Sequence, residues 1–100
     1  NQYMGMVRQW QELIHEGRYS HSYNESMPDF VMLAKSFGWE AKTISDPKLL
    51  DAALEECLSS EGPYFLDVRV QNQENCFPMM PAGYGHQQVM LSEDTWYVDD

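Results

Sequence analysis

Apolar residues recur at helical spacing over residues 4 to about 16, where Met6, Val7, Trp10, Leu13 and Ile14 share one stripe. Arg8 and Glu12 stand one turn apart on the opposite side, where they can pair weakly, and Gly17 supplies a left-handed stop. Periodicity alone makes the stripe core and Arg8 a solvated charge. A polar and aromatic loop without any period follows over residues 18–26. Pro28 then reads as the first residue of a second helix, with Asp29 favouring its positive end. Phe30, Leu33, Ala34 and Phe37 give that helix a buried face, and Gly38 ends it.

The period then changes. Residues 41–45 predict a short strand, and Asp46-Pro47 caps and starts a third helix whose stripe is Leu50, Ala53, Leu54, Cys57 and Leu58. A turn at 59–63 leads into residues 64–70, which alternate with Tyr64, Leu66, Val68 and Val70 on one face. Strand, helix, strand is a crossover unit, so the two strands are expected to be parallel and the fold class α/β. Beyond Val70 regularity fades. Residues 77–85 are rich in Pro, Gly and Met, which fits either an ordered loop over a ligand or a loose tail. Residues 87–91 predict one weak helical turn, and 92–100 an acidic tail anchored only by Trp96, Tyr97 and Val98. Two parallel strands make a marginal sheet, so apolar surface is expected to be left over and hidden by self-association.

Composition narrows the function classes. One hundred residues, 43% of them hydrophobic and 13% aromatic, suffice for one small packed domain. A net charge of −10, with sixteen carboxylates against six Lys and Arg, excludes binding nucleic acid or an anionic membrane through a basic face. Solubility is the plain explanation of that acidity. No run approaches the roughly 18 apolar residues of a membrane span. Cys57 and Cys76 show no CxxC spacing and no secretory signal precedes them, which predicts reduced thiols in a cytoplasmic protein. The chain opens on asparagine rather than methionine, as expected of a piece of something longer.

Local motifs for chemistry are sparse. His15, His21 and His86 lack metal-ligand spacing and read as surface residues. No GxSxG, Walker loop or GxGxxG is present. Met4, Met6, Met79, Met80 and Met90 suit either an adaptable pocket or ordinary core filling.

Five successive blocks are more specific: NQYMGMVRQWQ, GRYSHSY, MPDFVMLAKSFG, GPYFLDVRV and NCFPMMPAG. In order and spacing, over residues 1 to about 91, they resemble the C-terminal end of acetolactate (acetohydroxyacid) synthase catalytic subunits, within the thiamine-diphosphate enzyme superfamily. VRQWQ together with PMMPAG points to this branch rather than to other carboligases. The resemblance implies the C-terminal portion of a three-layer α/β/α cofactor-binding domain over residues 1–91, with 92–100 as a tail outside it.

It also implies roles. Asn1 matches the second of the paired asparagines that close the superfamily's Gly-Asp-Gly motif and would ligate Mg²⁺, with Tyr3 ligating through its backbone carbonyl. Both are the hard oxygen donors this ion prefers. Gly5 would allow close approach to thiamine diphosphate, and Met6 and Val7 would pack on it. Trp10, with Met6, would shape the pocket for the second 2-keto acid and for herbicidal inhibitors, and PMMPAG would fold over the site. Gly-Asp-Gly with its aspartate, the first asparagine, the activating glutamate of an N-terminal domain and the FAD-binding middle domain are absent from these residues. The isolated chain is therefore expected to bind no cofactor and to be inactive, with the rest of the catalytic subunit, a regulatory subunit and further copies of itself as implied partners. A free-standing interaction module with this fold, and a carboligase with another acceptor such as glyoxylate, are the alternatives.

Overall fold

A computed structural model of the chain describes residues 1–99. In chain order the elements are α1 (Gly5–Leu13), α2 (Phe30–Ser36), β1 (Glu40–Ile44), a 3-10 turn (Pro47–Leu49), α3 (Leu50–Ser59), β2 (Tyr64–Val68), β3 (Gln88–Met90) and β4 (Trp96–Val98). They fall into two compact units, one made of residue 1 and residues 25–71, the other of residues 2–24 and 72 onward.

The first unit is the α/β part. β1 and β2 pair in parallel, in register from Glu40 opposite Tyr64 to Ile44 opposite Val68, as the crossover pattern predicts. The start of α2 differs from expectation in one detail. Asp29, not Pro28, is the boundary residue: its carboxylate accepts the Met32 amide at 2.8 Å, so Pro28 lies just outside the helix. Asp46 caps likewise by accepting the Lys48 amide at 2.9 Å, but what it starts is the 3-10 turn that leads into α3. β2 stops at Val68, two residues short of the predicted strand, because Val70 has no strand left to pair with.

Burial in this unit is thin. Ala34, Ile44 and Ala53 are its buried apolar residues, while Leu33 on α2, Leu54 on α3, Phe37 (74% exposed) and Leu58 (85% exposed) face outward, against the prediction that they are core. Three short elements around two strands cannot enclose every apolar side chain that the periodicity marks. Phe30, Leu33, Ala34, Phe37, Trp39 and Phe65 line an open apolar groove of about 360 Å³. This is the leftover surface that the small sheet led us to expect.

Between α3 and this sheet the Tyr64 hydroxyl donates to Glu56 Oε1 and Lys42 Nζ donates to Glu56 Oε2, each at 2.7 Å. The hydrogen bond to the Glu56 carboxylate pushes the Tyr64 hydroxyl up to about 12. The bonds from Lys42 and then Tyr64 hold Glu56 below the usual carboxylate range. Because the folded-state value of Tyr64 is raised, its contribution to stability is complete below the ordinary tyrosine range near 10 and is lost as pH rises through about 12. In an alkaline absorbance titration, Tyr64 is therefore expected to ionise late. Tyr64→Phe should delete that late step and Glu56→Gln should bring it down towards 10. A late step that survives Tyr64→Phe would refute the assignment.

The second unit has its own organisation. Met4 N–H donates to Ser22 O at 2.8 Å and Asn24 N–H to Gln2 O at 2.7 Å, making a one-residue antiparallel bridge between Tyr3 and Tyr23. Their rings meet at a tilt of 45° with centroids 4.8 Å apart. Residues 87–91 do not form a helical turn. Gln88–Met90 is instead strand β3, antiparallel to β4, which the acidic stretch supplies through Trp96, Tyr97 and Val98. Val89 and Tyr97 are β-formers, and pairing satisfies backbone groups that a lone helical turn would leave open. Asp100, the last residue of the predicted tail, lies outside the described residues. The Pro- and Met-rich segment is ordered: Met79 exchanges both backbone hydrogen bonds with Met90, each at 2.8 Å, and Trp96 meets Tyr84 at a tilt, ring centroids 5.1 Å apart.

Candidate functional site

Gly5, Met6, Val7 and Trp10 stand in the first two turns of α1. Met4, the residue before the helix, offers no side-chain cap, and the first turn carries no acidic group. Its amide end is thus left electropositive, an environment suited to a phosphate group. Gly5 is the first helical residue. Met6 and Val7 are exposed and Trp10 is half-buried, so the three form an apolar wall that faces away from the packed part of this unit.

This orientation reverses the periodicity argument. The face of α1 that packs inward is polar: Arg8 is 2% exposed and Gln9 1% exposed, whereas Met6, Val7 and Ile14 of the predicted core stripe lie outside. The reason is the segment packed against it. Residues 74–79 present backbone carbonyl and amide groups, which need polar partners when buried. Gln9 Oε1 accepts the Cys76 amide at 2.7 Å, and Gln9 Nε2 donates to Cys76 O at 3.1 Å and to Met79 Sδ at 3.0 Å. Arg8 Nη2 donates to Asn75 Oδ1 at 2.6 Å and to Glu74 O at 3.2 Å, and Nη1 donates to Glu12. The guanidinium also lies over the Tyr3 ring, 5.6 Å from its centroid. The Arg8–Glu12 spacing marks this pair in the sequence, but its burial has no sequence signal.

The residues assigned to the metal lie as follows. Asn1 is exposed and belongs to the first unit. Tyr3 is half-buried in the second unit. The bridge to Tyr23 uses the backbone groups of Gln2 and Met4 on either side, so the Tyr3 carbonyl points away from the Tyr23 segment. An asparagine side-chain oxygen and a backbone carbonyl are each a donor type that Mg²⁺ accepts, and within the second unit an apolar wall beside an uncapped helix start suits a thiazolium diphosphate. Residue by residue, the donor chemistry fits the group. His15, His21 and His86 are exposed, and among the described residues no group of three or more His, Cys, Asp or Glu is arranged to hold a metal ion. Among the same residues no helix is long and apolar enough to cross a membrane.

Comparison with known proteins identifies the family. Residues 1–68 match the family described as thiamine pyrophosphate enzyme, C-terminal TPP binding domain. The chain is 45% identical over 91 residues to the acetolactate synthase large subunit of Parasynechococcus marenigrum (strain WH8102), covering 90% of this chain and 15% of that protein. Against the acetolactate synthase isozyme 2 large subunit of Escherichia coli (strain K12) it is 41% identical over 90 residues, 90% of this chain and 16% of the relative. Against the isozyme 3 large subunit of the same organism it is 42% identical over 96 residues, 93% of this chain and 17% of the relative. The chain thus spans about one sixth of the length of these curated relatives.

Proposed function

The chain belongs to the thiamine pyrophosphate enzyme C-terminal TPP binding domain family, and from that premise we propose that it is the closing part of an acetolactate synthase catalytic subunit. That enzyme, a transferase, would decarboxylate pyruvate and join the remaining two-carbon unit to a second 2-keto acid, pyruvate or 2-ketobutyrate, in branched-chain amino-acid biosynthesis. The observation that carries the reading is 41–45% identity to large subunits of this enzyme over nine tenths of the chain.

In this reading Asn1 Oδ1 and the Tyr3 carbonyl would contribute to holding Mg²⁺, while Gly5, Met6 and Val7 would seat the cofactor. When bound, thiamine diphosphate supplies the nucleophilic carbon and the electron sink for loss of CO₂. The contribution of this chain is placement: Met6 and Trp10 would exclude water from one wall and orient the acceptor keto acid, and the 77–82 segment, anchored on the polar face of α1, would have to reach round the helix to cover it. The 100 residues contain no Gly-Asp-Gly, so alone they would catalyse nothing. FAD would bind a middle domain outside them. Pairing of the exposed apolar groove of the first unit with another copy belongs to the same proposal.

The reading frame upstream of Asn1 tests the reading cheaply. A Gly-Asp-Gly some tens of residues ahead, with an asparagine immediately before Asn1, is the expected result. A start codon at or next to Asn1, with no such frame, would overturn it in favour of a free-standing module.

A further inference from the structure

Gln9 is among the most buried large side chains of the chain, yet no cofactor or substrate role attaches to it. Its amide treats Cys76 as a neighbouring strand would, taking the N–H and giving to the C=O of the same residue, and its second donor bond reaches the Met79 thioether. Arg8, next to it, holds Glu74 O and Asn75 Oδ1. From the other side Met90 holds the backbone of Met79. The segment that leads into Met79-Met80 is therefore fastened at consecutive positions to α1, the helix whose outward face carries Met6 and Val7.

We infer that Gln9 is a positioning residue: it fixes the 74–80 segment on α1 and thereby sets where Met79 and Met80 stand relative to the Met6–Trp10 wall. In the proposed reaction, on which this inference rests, that distance determines which second 2-keto acid fits. Packing alone does not account for the arrangement. An apolar side chain of equal size would fill the space but would leave the N–H and C=O of Cys76 without partners.

Amide hydrogen exchange on the 100-residue chain reads the fastening without any activity assay. In Gln9→Leu the Cys76 amide loses its acceptor, and protection at Cys76 and Met90 should fall about tenfold. In Gln9→Glu the ionised carboxylate still accepts the Cys76 amide but sets its charge against Cys76 O where a donor stood, so the segment loosens and protection at Met90 should fall at neutral pH. It should return at acid pH, where a protonated carboxyl both accepts and donates as the amide does. Arg8, Glu12, Glu74 and Glu93 are the other charged residues of this cluster. They are common to both proteins, so the unsubstituted chain over the same pH range corrects for them. Unchanged protection in Gln9→Leu, or no recovery of Gln9→Glu in acid, would overturn the inference. If Gln9→Leu instead unfolds, exchange accelerates at every amide, β1 and β2 included, and the acid recovery of Gln9→Glu decides alone.

A kinetic readout separates this inference from the reading beneath it. In an acetolactate synthase whose matched segment is replaced by residues 1–91, Gln9→Leu should raise KM for the second keto acid about tenfold with a smaller change in kcat. An unsubstituted chimera that folds and binds the cofactor yet is inactive would sink the functional reading and leave the exchange result standing.

Discussion

Arg8→Ala is expected to destabilise the unit formed by residues 2–24 and 72 onward by about 2–3 kcal/mol, far more than the loss of a surface charge. The guanidinium is almost fully buried. Its removal strips donors from Asn75 Oδ1 and Glu74 O, takes the counter-charge from Glu12 and opens a hole beside the Tyr3 ring. Solvent reaches the Glu12 side chain, which is 26% exposed, so the stranded carboxylate is partly hydrated and the cost stays at the lower end of what a fully buried pair commands. Arg8→Met restores most of the volume without the donors and should cost less. Arg8→Lys keeps the charge but cannot reach Glu12, Glu74 and Asn75 together from a single ammonium. Urea denaturation followed by circular dichroism orders the three. A loss below about 0.5 kcal/mol for Arg8→Ala would mean that the pair behaves as an exposed one.

The same residue shows how far the sequence could be read. Periodicity identifies which residues of α1 share a side, but not which side meets protein. Met6, Val7 and Ile14 do share a side, and Arg8, Gln9 and Glu12 another, as the spacing says. The inference that the apolar side is core fails because the neighbour of α1 is a length of irregular backbone rather than an apolar sheet. The parallel pairing of β1 and β2 was legible, since a strand, a helix and a strand with these loop lengths allow little else. The β3–β4 hairpin was not. Its strands are three residues each, too short for alternation to register, and Ser92, Glu93 and Asp94 between them read as tail. Gln9 was invisible for another reason: a buried amide announces itself only through the backbone it pairs with, and Cys76 lies 67 positions away.

Acetolactate formation by a chimera puts the functional account to the most direct test. Residues 1–91 would replace the matched segment of an acetolactate synthase large subunit, and product would be measured from pyruvate with thiamine diphosphate and Mg²⁺ supplied. The account predicts turnover of about 1 s⁻¹ or more, within the usual range for enzymes. It also predicts that Asn1→Ala in the chimera raises the Mg²⁺ concentration needed for half-maximal activity by about a hundredfold or more, because losing a side-chain ligand should cost at least what losing a residue behind one does. A chimera that folds and binds the cofactor yet makes no acetolactate, or one in which Asn1→Ala leaves the Mg²⁺ requirement unchanged, would contradict the account.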